Sequence, residues 1–130
     1  MIRPLALLSI LAFGLAAGTA TAVEPIDSGW PQVARSHDPV CVLSVTGNGQ
    51  FYRIAALGLG ANAPGHLILT NGDMEPLDWT IRATGAGGFA RYYLPFRWHR
   101  RGGEVTVAVQ SARCSVSTRF AWTRAEVTVR

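Results

Sequence analysis

From residue 40 onward, apolar and polar side chains alternate with a period of two, in short runs broken by glycine and asparagine. Val40 to Thr46 opens the series, with Cys41, Leu43 and Val45 on one face. Phe51 to Leu59 and His66 to Thr70 follow, the second pairing Leu67 with Leu69 by parity. In Leu77 to Thr84, Leu77, Trp79, Ile81 and Ala83 oppose Asp78, Thr80, Arg82 and Thr84. Phe89 to Leu94 returns, and Glu104 to Gln110 puts Val105, Val107 and Val109 on one side. In the last run Cys114, Val116, Phe120 and Trp122 share a face. Such alternation is what a strand with one face on a core requires. Val127 and Val129 fall on the opposite parity, which predicts a bulge or a short separate tail strand.

The breaks between runs carry turn chemistry. Gly47-Asn48-Gly49 predicts a hairpin, because Asn-Gly readily takes the positive φ angles of a type I′ turn. Residues 58–65 form a Gly/Ala/Pro/Asn loop, Asn71-Gly72-Asp73 a second tight turn, and Gly85 to Gly88 a third break. Pro95 to Gly103 is a basic, aromatic loop. Beyond residue 22 no stretch repeats apolar residues at helical spacing. About seven short strands with Gly and Asn turns predict an all-β, antiparallel sandwich or barrel over residues 40–130. Residues 23–39, with Pro25, Pro31 and Pro39, read as an extended or mobile lead-in.

Residues 1–22 have a different composition: a short basic start at Arg3, an apolar run from Leu5 to Ala17, then the small residues Gly18-Thr-Ala-Thr-Ala22. This is the pattern of a helical signal peptide, cut after Ala22 or, as a second option, after Ala20. The competing reading is an uncleaved anchor, but the second half of the run is Ala, Gly and Thr and no basic cluster follows. No cysteine follows the apolar run closely enough for a lipoprotein, and no later segment is apolar enough to span a membrane. The expectation is a secreted or periplasmic protein with no membrane span after cleavage.

Export changes the meaning of Cys41 and Cys114. In an oxidising compartment two cysteines read as one structural disulfide, and there is no Cys-x-x-Cys or neighbouring histidine to suggest a metal or a reactive thiol. Closing so long a loop stabilises a fold by about 4 kcal/mol in the chain-entropy model. Both cysteines lie on inward faces, Cys41 on the first predicted strand and Cys114 on the last. A bridge between them brings the terminal strands together. The chain carries a formal net charge of +4, which becomes +3 once Arg3 is removed, and every basic side chain is arginine. So modest a charge, with an export signal, argues against nucleic acid as a partner.

The order of strands and turns resembles that of bacterial immunoglobulin-like and fibronectin-III-like domains. The signals that carry it are the Ala63-Pro64-Gly65 bend before a strand, Gly87-Gly88-Phe89 opening one, and Pro95 closing it. Gly103-Glu-Val-Thr-Val-Ala-Val109 is the late strand. The resemblance covers roughly residues 40–123 and implies a single immunoglobulin-like antiparallel β-sandwich. Antibody-type domains carry a Trp some dozen residues past the first Cys, where this chain has Arg53-Ile54-Ala55. Ala112 stands where the tyrosine corner would be.

Candidate chemistry is sparse. No His or Met follows Cys114 at blue-copper spacing, so no metal or other cofactor is expected. Gly-x-Ser-x-Gly and His-Glu-x-x-His are both missing, so a small exported hydrolase is the weakest reading and no catalytic residue is assigned. His37-Asp38 lie in the proline-flanked lead-in, and Asp73, Glu75 and Asp78 read as a solvated hairpin tip. Trp79 and Trp122 alternate with core residues. Tyr92 and Tyr93 face opposite ways, and Trp30 either docks on the sandwich or serves a partner.

The best candidate is the loop Phe96-Arg97-Trp98-His99-Arg100-Arg101. Its arginine forks suit phosphate or carboxylate, and a tryptophan face suits a sugar ring or a cation. Arg97, Trp98, His99, Arg100 and Arg101 are therefore the candidate binding residues, for an acidic glycan, a lipid head group or a protein of the cell envelope. The competing structural reading is a solvated basic turn whose Phe96 or Trp98 plugs the sandwich end. The expected function is a non-enzymatic binding or interaction module. The alternative is an accessory structural subunit of an envelope assembly, pairing through sheet edges or the 23–39 arm.

Overall fold

A computed structural model describes residues 29–124. The predicted signal peptide, Val127 and Val129 lie outside the described residues. The strands are β1 (Gln32–His37), β2 (Val42–Gly47), β3 (Tyr52–Leu57), β4 (Pro64–Asn71), β5 (Leu77–Arg82), β6 (Phe89–Tyr93), β7 (Gly102–Ser111) and β8 (Ser115–Thr123). They form two four-stranded sheets, ordered β1-β2-β3-β6 and β5-β4-β7-β8, and every pairing is antiparallel. The immunoglobulin arrangement sends the third strand to the opposite sheet from the first two. In this chain β3 instead pairs with β2 as a hairpin, from Val42↔Leu57 to Gly47↔Tyr52.

The described strands number eight rather than about seven, and β1 is the addition. It occupies part of the proline-marked lead-in. Prolines are tolerated there because they flank an edge strand instead of interrupting a ladder. Pro31 and Pro39 stand on either side of it, and the Pro31 carbonyl accepts a hydrogen bond from Gly47 N at 3.0 Å. The β2–β3 turn also differs from expectation. Positive φ falls on Gly49 alone, not on Asn48 as well. Asn48 Oδ1 instead accepts from Gln50 N at 2.9 Å and Phe51 N at 2.8 Å, so the side chain builds the turn that two left-handed residues would have built.

Period-two alternation puts Leu43, Val45, Ile54, Leu67, Leu69, Val105, Val107 and Val109 between the sheets, all sealed from solvent. Tyr52 meets Phe120 across the core with ring centroids 4.6 Å apart. Cys41 immediately precedes β2 and Cys114 immediately precedes β8, and the two are joined by a disulfide with Cα atoms 6.1 Å apart. The bridge therefore clamps one sheet to the other at one end of the sandwich. With β1 present, the strand after Cys41 is the second, not the first. Asp38 Oδ1 accepts from Cys41 N at 2.6 Å and Val40 N at 2.8 Å. Those bonds, the one from Cys41 foremost, hold the Asp38 carboxyl below the usual carboxylate range. A disulfide is consistent with an oxidising, extracytoplasmic setting.

The sheet edges are treated unequally. Arg91 pairs with the buried Ile54, so its side chain has inward parity on the edge strand β6. Its guanidinium lies 3.6 Å above the Trp79 ring on β5 of the facing sheet, and Trp79 in turn meets Tyr93 edge-on. An inward-pointing charge is a known guard against edge-to-edge pairing. On the other side β1 carries a register shift between Gln32 and Ala34, whereas β8 pairs with β7 from Gln110↔Ser115 to Gly102↔Thr123 without interruption. The end of the sandwich opposite the disulfide carries the connections 48–51, 72–76 and 94–101.

Candidate functional site

The 94–101 connection crosses from β6 to β7, and so from one sheet to the other. Three contacts fix it. Phe96 packs edge-on against Trp122, with centroids 5.7 Å apart, and Trp122 is buried. The Pro95 carbonyl accepts from Asn71 Nδ2 at 2.7 Å. Arg97 Nη1 donates to Asp73 Oδ1 at 2.6 Å. Phe96 is thus the plug that the structural reading of this loop anticipated, and it carries the following residues out over the end of the sandwich.

Asn71 is the one buried polar side chain among the described residues. It sits at the end of β4, accepting from Trp122 Nε1 at 3.3 Å and donating to Pro95 O. A buried indole N–H and a buried carbonyl are costly without partners, and a single amide serves both. Sequence reading took Asn71 only as a turn residue, since nothing in a period-two pattern separates a turn asparagine from a buried bridge.

A cavity of about 310 Å³ lies between the β4–β5 turn and the loop, lined by Asp73, Arg97, Arg100, Gly72, Gly103 and Trp122. Two of its glycines have no room for a side chain without a neighbour giving way. Gly72 has a φ of +57°, and a Cβ there would lie 3.1 Å from Arg97 Nη1. A Cβ on Gly103 would lie 3.0 Å from Trp122 Nε1. Asp73 holds both guanidinium groups, with Arg100 Nη2 at 3.8 Å from Oδ2. The Arg97 hydrogen bond keeps the Asp73 carboxyl below its usual range. Two cations against one carboxylate leave the cavity wall net positive.

Of the predicted binding residues, Arg97 and Arg100 meet at this cavity. Trp98 stands clear of it, 79% exposed, its ring edge-on to His99 at 5.1 Å. His99 adopts a φ of +62°, uncommon for a residue with a Cβ and a form of stored strain that concentrates at functional sites. Arg101 is exposed immediately before β7 and contributes its carbonyl to Arg124 N at 2.7 Å. Asp73 was missed by sequence reading because its partner lies 24 residues away.

No protein-family model, curated protein or solved structure matches the chain.

Elsewhere His66 Nδ1 contacts Asp78 Oδ1 at 2.8 Å on the outer face of the second sheet, with both side chains about half exposed. Trp30 docks edge-on against Tyr92, which is itself exposed, across the outer face of the first sheet. Among the described residues no three His, Cys, Asp or Glu side chains group to hold a metal ion, and no helix is long and apolar enough to cross a membrane.

Proposed function

We propose that this protein is an exported binding module that takes an acidic glycan at the end of the sandwich opposite the disulfide. The observation that carries the reading is the fully presented Trp98 on a loop pinned at Pro95, Phe96 and Arg97. An exposed indole held by neighbours is a flat platform for the apolar face of a sugar ring. Arg97 and Arg100, on either side of Trp98 in the chain and held by a single carboxylate at Asp73, supply guanidinium groups of the kind that pair with an acidic sugar. Recognition on a loop fixed by a rigid scaffold is the usual division of labour in a sandwich. Leader removal after Ala22 or Ala20 and a secreted or periplasmic location belong to this proposal.

The test is an array of acidic and neutral glycans, anionic lipids and envelope proteins, probed with wild type and with an Arg97/Trp98/Arg100 triple alanine variant. Selective loss of acidic-glycan binding in the variant supports the reading. Equal binding by both proteins overturns it, and a signal confined to lipids or proteins replaces the ligand class. The uninterrupted β8 edge favours a second reading, a structural subunit of an envelope assembly. That reading predicts self-association or a stable complex in size-exclusion chromatography.

A further inference from the structure

The two sheets approach each other at β1 and β8 without joining in a ladder. Along this seam runs a groove of about 400 Å³, lined by Arg35 and Ser36 of β1, Ser117, Thr118 and Arg119 of β8, and Thr106 of β7. Every residue lining it carries a side-chain hydrogen-bond donor, two carry guanidinium groups, and none carries a carboxylate. Arg35 has no ion pair among the described residues. Arg119 has one loose contact, to Glu104 Oε1 at 3.9 Å, with both side chains well exposed.

The ladder phase adds main-chain donors. Ser111 N bonds to Cys114 O and Arg124 N to Arg101 O, so the even-numbered residues of β8 bond to β7. In an antiparallel pair the alternate residues then turn their N–H and C=O groups the other way. Ser117 and Arg119 therefore present main-chain groups to the seam. On β1 the bond from Asp38 N to Cys41 O sets the same alternation, and Arg35 faces away from β2.

We infer that this seam is a second binding site, separate from the 94–101 loop, for a tetrahedral oxyanion carried as a sugar ester. Guanidinium groups on β1 and β8, hydroxyls and outward main-chain N–H groups border the groove, a donor set that suits the oxygens of a phosphate or sulfate. A groove of this size has room for more than the bare ion. The remaining hydroxyls and outward carbonyls would meet the sugar's own hydroxyls. The inference does not depend on the function proposed for the loop.

The test is an amide NMR titration of the full chain with glucose 6-phosphate, glucose 6-sulfate, inorganic phosphate and neutral glucose. Saturable shifts at the amides of Arg35, Ser117 and Arg119 are expected with at least one ester. Inorganic phosphate should bind more weakly and glucose should give no shift. The ester that binds tighter identifies the anion. Arg35→Gln with Arg119→Gln should weaken ester binding at least tenfold, whereas the Arg97/Trp98/Arg100 alanine variant should leave it unchanged. Glu104→Gln, which frees Arg119, should tighten it and guards against misreading a folding defect. Seam shifts that never saturate, that survive the double substitution, or that vanish in the loop variant would overturn the inference.

Discussion

Trp122 Nε1 on the edge strand β8 donates to Asn71 Oδ1 on β4, two strands away in the same sheet, and through Asn71 Nδ2 the contact continues to the Pro95 carbonyl. One buried amide therefore couples β8, the end of β4 and the root of the 94–101 loop. Replacing Asn71 with Leu leaves an indole N–H and a carbonyl buried without partners, a loss of about 1–3 kcal/mol for each group so stranded. Urea unfolding should show the fall in stability. Limited trypsin digestion should show faster cleavage at Arg97, Arg100 and Arg101 as the loop detaches. A digestion pattern unchanged from wild type would mean that Asn71 does not anchor the loop.

Arg91 and Trp79 close the β5/β6 side of the sandwich. Removing the guanidinium with Arg91→Ala forfeits a cation–π contact worth about 0.5–1 kcal/mol at a partly exposed site. It also strips the inward charge from an edge strand. The expected outcome is a small drop in thermal midpoint with a large rise in concentration-dependent light scattering. Arg91→Lys should restore solubility more fully than stability.

The disulfide should matter for stability and not for recognition. It closes a span of 73 residues, worth about 4 kcal/mol in the chain-entropy model. It lies at the opposite end from Trp98. Cys41→Ser with Cys114→Ser should lower the denaturant midpoint strongly. Ligand binding, measured well below the transition, should stay within twofold of wild type. A loss of affinity in a folded double variant would show that the two ends are coupled.

Acid should release the loop late. Asp73 has its carboxyl held below the usual range by the hydrogen bond from Arg97. A carboxylate depressed in the folded state contributes stability that is present above its unfolded pKa and is lost as pH falls through the folded one. The loop anchor should therefore persist from neutral pH down through the ordinary carboxylate range and fail only in more acidic solution. The Trp98 indole N–H resonance, followed through an acid titration, reads this directly. Asp73→Asn should remove that transition, leaving the one that belongs to Asp38.

The alternation of Leu43 with Val45, of Leu67 with Leu69 and of Val105 with Val107 and Val109 made the strands and their buried faces legible in the sequence. The burial of Cys41 and Cys114 was legible for the same reason. β1 was hidden because prolines at both of its ends resemble the prolines of a linker. Only the Pro31–Gly47 contact, which is tertiary, tells them apart. Strand order was not legible either, since parity places a residue on a face without naming the neighbouring strand. At the candidate site, Arg97, Trp98 and Arg100 stood out as a cluster of rare residues. Asp73 and Asn71 did not, because their roles arise from chain segments more than twenty residues away.

If Trp98 with Arg97 and Arg100 forms the recognition surface, the tryptophan indole N–H resonances report it during titration with a tri-galacturonate. The expected result is a saturable shift of the Trp98 indole signal, no shift of the buried Trp122 signal, and loss of the effect in an Arg97→Ala, Arg100→Ala variant. A Trp98 signal that stays fixed while the oligosaccharide binds elsewhere, or a shift that persists without the two arginines, would contradict it.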